Sequence, residues 1–257
     1  MDDSHKLIQQ QFGANASKYA TSDVHAKGES LARLVELTHP QSNWQVLDVS
    51  TGAGHTALTF ALHVAHVVAS DLTPEMLDTA RKLANERSIT NIEFKPADAH
   101  QLPFANEEFD LVTNRMALHH FTDARKAIAE MARVCKRGGI IALDDNTVPP
   151  DKQTAGAYNH FEKLRDPSHN WAYPVPRLEA MLTDAGLKVE HTESFKKELE
   201  FEPWADRMNV SAENKAKLRA LLFQDMIASA REFLMPRNDG DKVYFSLTET
   251  IIIARKG

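Results

Sequence analysis

A strand-like segment leads into a glycine-bearing turn and then into a helix-like segment in VLDVSTGAGHTALTFA, residues 46–61. Gly52, Gly54 and Ala57 satisfy the G-x-G-x-x-G/A spacing with which α/β folds place a tight turn and a helix N-terminus beside a nucleotide. This feature restricts the chain to folds in which a parallel sheet is interleaved with helices. It also predicts a ligand that contains adenosine.

Further strand candidates alternate with helical segments after this turn. The candidates are QVLDV, HVVASD, IEFKPAD, FDLVTN and GIIALDD, at residues 45–49, 66–71, 92–98, 109–114 and 139–145. Helices are predicted between them at Thr56–His63, at Pro74–Arg87 with Thr73 as N-cap, and at Asp123–Cys135. The alternation predicts a doubly wound α/β fold whose mostly parallel sheet is covered by helices on both faces.

The chain divides by character into four stretches, which we predict to form a single domain. Residues 1–44 look helical and amphipathic and are predicted to be an N-terminal cap, and residues 45–146 are predicted to be the core. From 147 to 240 the sequence is rich in proline and contains Trp171 and Trp204. This stretch is predicted to be a substrate-side insertion with part of the sheet. The apolar end, 241–257, is predicted to return as a strand.

Composition and charge exclude several classes of protein. A net charge of -6 argues against a broad nucleic-acid surface. Cys135 is the only cysteine, so no intramolecular disulfide is possible and a reducing compartment fits. The first residues lack the order of a secretory signal, and no stretch of about 18 apolar residues predicts a membrane span. We therefore predict a cytoplasmic protein, monomeric or homodimeric, with no nucleic-acid partner and no membrane insertion.

Three aspartates stand at the ends of three successive predicted strands: Asp48, Asp71 and Asp98. The ends of parallel strands converge on one crevice. Asp71 is placed to accept from two ribose hydroxyls, and Asp98 from the exocyclic amine of adenine. Asp48 discriminates between adenosine cofactors, because a carboxylate there repels the pyrophosphate of NAD and attracts the ammonium and sulfonium groups of S-adenosylmethionine.

Four stretches resemble, in this order, the class I S-adenosylmethionine-dependent methyltransferases, and especially the small-molecule branch that includes the ubiquinone and menaquinone biosynthesis methyltransferases. They are VLDVSTGAGHTA, VVASDLTPEML, ADAHQLPFANEEFDLVTNRMALHHF and VCKRGGIIALDDN, within Val46 to Asn146. The resemblance implies a Rossmann-like methyltransferase fold with a seven-stranded sheet and a helical lid. It implies S-adenosylmethionine as the cofactor, S-adenosylhomocysteine as its product and a small molecule as the methyl acceptor.

The resemblance also assigns cofactor-binding residues, with one departure. The first glycine of the family's turn is here Ser50, which fits the turn if its φ stays negative. The residues assigned to the cofactor are Asp48, Ser50, Thr51, Gly52, Gly54, Asp71, Leu72, Asp98, Ala99 and Asn114.

Candidates on the acceptor side include three histidines, His119, His120 and His169. A phenol or an activated ring carbon benefits from a histidine base with a pKa near neutrality, although histidines in such positions equally serve packing. The remaining histidines lack tight spacing with cysteine or carboxylate partners, so no metal site is predicted. A small aromatic or apolar acceptor, methylated at oxygen, carbon or nitrogen, is predicted to contact Phe12, Tyr19, His25, Phe161, Trp171 and Trp204.

Two alternatives belong to other functional classes. An NAD(P)-dependent oxidoreductase shares the turn and Asp71, but Asp48, Asp98 and the lack of a clear Tyr-x-x-x-Lys pair after the fifth strand argue against it. A non-catalytic protein that binds S-adenosylmethionine would keep the crevice, with Ser50 as its mark. Turnover of any acceptor would exclude this second alternative.

Overall fold

The computed structural model describes residues 3–20 and 28–257, with the side chains of residues 5–16 and 28–257. Across these residues eight strands form one sheet in the order β3-β2-β1-β4-β5-β8-β6, and β7 pairs with β8. Strands β1 to β5 pair in parallel, whereas β8 is antiparallel to β5, β6 and β7. The strands are β1 Gln45–Val49, β2 His66–Asp71, β3 Ile92–Pro96, β4 Phe109–Arg115, β5 Cys135–Asn146, β6 Leu187–Glu200, β7 Arg237–Asp239 and β8 Lys242–Lys256.

The predicted fold class is confirmed, and the sheet differs in two details. It has eight strands instead of seven among the described residues, because the chain makes a tight hairpin at Gly240, whose φ of 58° suits such a turn. Strand β5 begins before the predicted residue 139, since Cys135 already pairs with Phe109 ahead of a register shift. The C-terminal segment returns as the antiparallel strand β8, as predicted.

Ten α-helices occur in the described part of the chain, together with a 3₁₀ turn at Leu118–His120 and a π-helical segment at Leu221–Asp225. The α-helices are α1 Asp3–Ala20, α2 Glu29–Thr38, α3 His55–Phe60, α4 Pro74–Glu86, α5 Ala124–Val134, α6 Lys152–Arg165, α7 Val175–Asp184, α8 Phe201–Asp206, α9 Ala212–Ala220 and α10 Ala228–Leu234.

At two helix N-termini the structure shows whether the residue in the N-cap position forms a capping hydrogen bond. Asp123 caps α5 by accepting from the Lys126 backbone N–H at 3.0 Å. Thr73 occupies the predicted N-cap position of α4, but its side chain makes no capping hydrogen bond. The Thr73 backbone N–H instead donates to Oδ1 of Asp71 at 2.8 Å, so the strand-end carboxylate is tied to the start of this helix.

The sheet has an apolar layer on each face, and the stretch after β5 adds a third apolar cluster. In this third cluster Phe161 stacks on Trp204 with ring centroids 5.1 Å apart, and Phe245 packs edge-on against Trp204 at 4.8 Å. Because Phe245 lies on β8, the cluster joins the insertion firmly to the end of the sheet.

Helix α1 lies across the carboxyl edge of the sheet. The Gln9 amide donates to the carbonyl of Leu72 at 2.8 Å, and Oδ1 of Asn15 accepts from the Asn209 amide at 2.7 Å. The helix thus contacts both the loop after β2 and the insertion. In the described ranges, no helix combines the length and apolar character needed to cross a bilayer.

Candidate functional site

A deep crevice opens at the carboxyl ends of β1, β2 and β4. The sheet order reverses between β1 and β4, where such folds place their ligands. The floor is formed by the β1 turn and the ends of β2 and β4, and the roof by α1 together with α6, α8, β6 and β8. The predicted cofactor residues that line the crevice are Asp48, Ser50, Thr51, Gly52, Asp71, Leu72, Asp98 and Ala99.

The turn after β1 depends on residues with positive φ. Gly52 and Gly54 have φ of 55° and 85°. A β-carbon on Gly54 would lie 2.8 Å from Cβ of Ala80 on α4, so this glycine permits close packing of the turn against a helix. Gly54 does not line the crevice, and its observed role is in packing.

Ser50 departs from the expected backbone conformation. Its φ is 56°, in the left-handed region, so the expectation of a negative φ is wrong. The turn imposes on residue 50 the left-handed conformation that glycine adopts most easily. A residue with a β-carbon, such as serine, is strained in this conformation. Ser50 nevertheless lines the crevice.

Replacing Ser50 with glycine is expected to stabilise the protein. Relief of a left-handed residue is worth about 1–2 kcal/mol, and the greater freedom of glycine in the unfolded chain offsets about 0.4–1 kcal/mol of this. A rise in melting temperature of about 2–4 °C would correspond to 1 kcal/mol. Ser50→Ala is the matched control, because it removes the hydroxyl and keeps the β-carbon. A Ser50→Gly protein that melts below wild type would contradict the strain argument.

Asp48 is buried at the end of β1 and lies between two threonine hydroxyls. Thr113 donates to its Oδ1 and Thr51 to its Oδ2, both at 2.6 Å. Burial raises the pKa of Asp48 to about 6, while the two hydroxyls and the nearby Arg115 favour the charged form. The carboxylate is therefore mostly ionised at neutral pH, and the crevice carries a fixed negative charge beside its glycine turn.

Asp71 joins the end of β2 to the glycine turn. Its Oδ2 accepts from the Gly52 backbone N–H and its Oδ1 from the Thr73 backbone N–H, each at 2.8 Å. Burial raises the pKa of Asp71, and these backbone donors act in the opposite direction. The carboxylate thus shapes the turn as well as facing the crevice, a double role that the spacing alone does not predict.

Asp98 follows β3 and lies among histidines. Its Oδ1 accepts from the backbone N–H and from Nδ1 of His100, at 2.9 and 2.7 Å. Burial acts to raise the pKa of Asp98, but the contacts with His100 and the charge of His5 outweigh it, so the pKa lies below its ordinary value. This half-buried carboxylate is ionised across the physiological range.

Asn114 does not line the crevice. Its side-chain amide donates to the Val49 carbonyl at 2.9 Å, which ties β4 to β1 beneath the glycine turn. The observed contact gives it a supporting position instead of the direct one that the resemblance implies.

The three candidate histidines lie together but have different partners. Nδ1 of His119 contacts Oδ1 of Asp145 at 2.5 Å, and the His119 backbone N–H donates to Oδ2 of the same carboxylate at 3.0 Å. Nδ1 of His120 donates to the Ser168 carbonyl at 3.1 Å, and Nε2 of His169 contacts Oδ1 of Asn159 at 2.8 Å. His119 and His120 line the crevice, whereas His169 is buried beside them.

The surroundings of these three histidines shift their pKa values in different directions. Burial acts to lower the pKa of His119, but the Asp145 carboxylate outweighs it and the pKa lies above its ordinary value. Burial, together with the charge of His119, lowers the pKa of His120 to about 4. Burial also lowers the pKa of His169. Of the three, His119 alone is suited to take up a proton near neutral pH.

The aromatic candidates divide into those at the crevice and those away from it. Phe12 and Trp204 line the crevice, and Phe12 meets the His120 ring edge-on at 4.9 Å. Phe161 is fully buried in the insertion core, so its observed role is packing. Trp171 is 39% exposed and borders a small cleft on the far side of His119. His25 and the side chain of Tyr19 lie outside the described residues.

Several residues of this site are not among those predicted from the sequence. Asp145 stands at the end of β5, so the same strand-end argument that identifies the other acids could have found it. Arg115, at the end of β4, lines the crevice and donates to the Thr56 hydroxyl at 3.0 Å. Lys197 lines the opposite wall and pairs with the buried Glu249 at 2.7 Å. No local signal identifies Lys197, because its position depends on the pairing of β6 with β8.

Comparisons with known proteins agree with this architecture. Residues 47–143 match the family model described as a methyltransferase domain. The chain is 32% identical to the uncharacterized methyltransferase YcgJ of Bacillus subtilis, over 94% of this chain and 96% of that protein. It is 34% identical to the ubiquinone/menaquinone biosynthesis C-methyltransferase UbiE of Pseudomonas putida, over 71% and 81% of the two chains. A solved structure from Bacillus halodurans C-125 matches with a TM-score of 0.85 and 36% identity, over 89% and 99% of the chains.

Proposed function

Because the chain belongs to the S-adenosylmethionine-dependent methyltransferases, we propose that its crevice binds S-adenosylmethionine and that it methylates a small hydroxylated aromatic molecule. The chain is thus an enzyme, which sets aside the oxidoreductase and the non-catalytic alternatives. The observation that carries the acceptor proposal is the His119 imidazole, held by Asp145 at the crevice wall.

The residues of the floor fit the proposed cofactor. Asp71 would accept from the ribose hydroxyls, and Asp98 from the adenine amine, with Leu72 and Ala99 supplying apolar surface beside them. Asp48 and the Ser50–Gly54 backbone would hold the methionine end, where the ionised carboxylate favours a cation and disfavours a pyrophosphate. S-adenosylmethionine, when bound, supplies an electrophilic methyl group.

The acceptor class follows from the roof and from the relatives. UbiE is named for C-methylation in ubiquinone and menaquinone biosynthesis, and we infer for this chain an acceptor of related chemistry, an aromatic ring with a hydroxyl group. Phe12 and Trp204 offer aromatic surface at the crevice, which suits a ring. The Arg115 cation adds positive charge that favours a phenolate over a phenol, whereas the charge of Lys197 is paired with Glu249.

In the proposed chemistry, His119 accepts one proton from the acceptor. Asp145 holds Nδ1, so the lone pair of Nε2 is left to accept the proton of the acceptor hydroxyl. The carboxylate also stabilises the imidazolium that forms. The deprotonated acceptor is then the nucleophile, at its oxygen or at an adjacent ring carbon. On the carbon route, the methylated ring carbon also loses its own proton to solvent, which restores the aromatic ring. The roof residues orient the acceptor and exclude water, which is the main task of a protein in methyl transfer.

We propose further properties for this chain, namely its location, the roles of its terminal cap and insertion, and its oligomeric state. We propose a cytoplasmic location, since the single cysteine, Cys135, is buried and free. We propose that residues 1–44 act as a cap and residues 147–240 as the substrate-side insertion. The expected state is a monomer or homodimer without nucleic-acid or membrane partners.

Binding of the cofactor is expected to raise the thermal midpoint of the protein. S-adenosylhomocysteine at about 100 times its dissociation constant should add about 2.7 kcal/mol, at about 2–4 °C per kcal/mol. Differential scanning fluorimetry with S-adenosylmethionine, S-adenosylhomocysteine, NAD and NADP measures this. The two nucleotides serve as controls, because the acid beside the turn disfavours their pyrophosphate. A shift with NAD alone would overturn the cofactor proposal.

A further inference from the structure

A cluster of two imidazoles and one carboxylate lies at the mouth of the crevice, outside the proposed proton-transfer machinery. It consists of His5 on α1 with Asp98 and His100 on the loop after β3. One donor atom from each residue lies within 4.8 Å of the others. All three side chains are partly buried, with exposed fractions of 17%, 33% and 11%. The cluster links the N-terminal cap helix to the sheet.

The spacing of His5 and Asp98 fits a shared ion better than a direct contact. Nε2 of His5 lies 3.7 Å from Oδ2 of Asp98, which is beyond ordinary hydrogen-bond length. Two ligands on a tetrahedral ion with bonds of about 2.0–2.1 Å stand about 3.4 Å apart, close to the observed separation. The rings of His5 and His100 are 5.9 Å apart between centroids and tilted by 30°, so the two imidazoles lie near each other.

His100 also has a partner for its second nitrogen. Nδ1 lies beside Asp98, while Nε2 accepts from the Asp123 backbone N–H at 3.3 Å and lies 3.4 Å from the Thr122 hydroxyl. Binding of an ion at Nδ1 would move the ring proton to Nε2, so the hydrogen bond from the Asp123 N–H would be lost and the Thr122 hydroxyl would turn to accept from Nε2. A ligating histidine that donates its other N–H to a neighbouring group is the common arrangement at metal sites.

We propose that His5, Asp98 and His100 form a binding site for a divalent transition-metal ion of the zinc class. Two imidazoles and one carboxylate are a donor set that suits zinc, cobalt and nickel and does not suit magnesium or calcium. Three protein ligands leave a fourth position for water. The ion joins α1 to the loop after β3 and so holds the cap over the adenosine half of the crevice.

The site has a consequence for the cofactor, and this part rests on the proposed function. If Asp98 accepts from adenine, the ion and the cofactor compete for one carboxylate. S-adenosylhomocysteine then weakens metal binding, and the metal weakens S-adenosylhomocysteine binding by the same factor. Metal binding to the ligand-free protein does not depend on the proposed function, so the two ideas fail separately.

To test this site, the full chain is first stripped of metal with a chelator and freed of any histidine tag. It is then titrated with Co²⁺ and afterwards with Zn²⁺. The expected result is one Co²⁺ per chain with a visible absorption band that Zn²⁺ abolishes. His5→Ala and His100→Ala should each weaken the affinity at least about tenfold. His160→Ala is the matched control, because His160 is an exposed histidine on α6. Melting curves establish that each variant is folded.

Absence of saturable Co²⁺ binding would overturn the site, as would equal affinity in wild type and His5→Ala. If His100→Ala fails to fold, the His5→Ala variant alone tests the site, because His5 lies on the surface helix α1. A metal affinity that is unchanged by S-adenosylhomocysteine would leave the metal site standing and would contradict the proposed contact of Asp98 with adenine.

Discussion

Replacing Asp71 with alanine is expected to weaken S-adenosylhomocysteine binding by about 10- to 150-fold. This corresponds to about 1.5–3 kcal/mol, the range for hydrogen bonds to a charged group. The same change should also destabilise the fold, because the carboxylate accepts from the Gly52 and Thr73 backbone N–H groups. Isothermal titration calorimetry gives the affinity, and urea denaturation gives the free energy of unfolding.

Two further variants separate the roles of Asp71. Asp71→Asn keeps the size of the side chain but turns one acceptor into a donor that faces a backbone N–H, so it should lower both affinity and stability. Asp78→Ala removes an exposed carboxylate of α4 that pairs only with Arg81 in the described part of the chain, and it should change neither. Wild-type affinity in Asp71→Ala would show that this carboxylate does not hold the ribose.

Short-range signals predicted the floor of the site because the floor is built from local units. Asp48 and Asp71 lie at the carboxyl ends of β1 and β2, and Asp98 follows β3. Parallel strands necessarily bring such residues to one edge. The same logic extends to Asp145 at the end of β5. The fold class was predictable for a related reason, since the alternation of apolar strands and helices is repeated within the span from β1 to β5.

Details that depend on packing between distant segments could not be predicted. The direction of the Asn114 side chain is set by the Val49 carbonyl on a neighbouring strand, and the burial of Phe161 by Trp204 and Phe245. The grouping of His5 with Asp98 requires α1 to lie across the sheet. The backbone conformation of Ser50 could not be predicted from the sequence either, because its φ is positive and serine does not favour a positive φ.

With the proposed role of His119 as a base, its pairing with Asp145 is expected to link both folding stability and activity to pH. The pKa of His119 lies above its ordinary value of 6.5 in the folded protein. The ion pair therefore contributes its full stability below the unfolded pKa and loses it as the pH rises through the folded pKa. A base must be neutral, so catalysis is expected to increase over that same rise. Stability and activity should thus change in opposite directions with pH.

Replacing His119 with alanine is expected to lower kcat by about 10²- to 10⁴-fold, the usual contribution of a general base. S-adenosylhomocysteine affinity should stay near wild type, because the proposed cofactor residues lie on the floor of the crevice. Asp145→Asn should lower kcat and also shift the acidic limb of the pH profile to lower pH, since the carboxylate holds the pKa of His119 up. His160→Ala is again the matched control.

Two measurements test the dyad, and one needs no acceptor. Imidazole proton chemical shifts followed by NMR should give a lower pKa for His119 in Asp145→Asn than in wild type. Release of S-adenosylhomocysteine with dihydroxybenzenes and dihydroxynaphthalenes as probes should give the change in kcat. An amine acceptor with a free lone pair needs no base. Equal kcat and equal pH profiles in wild type and His119→Ala would therefore refute the base and with it the hydroxylated acceptor.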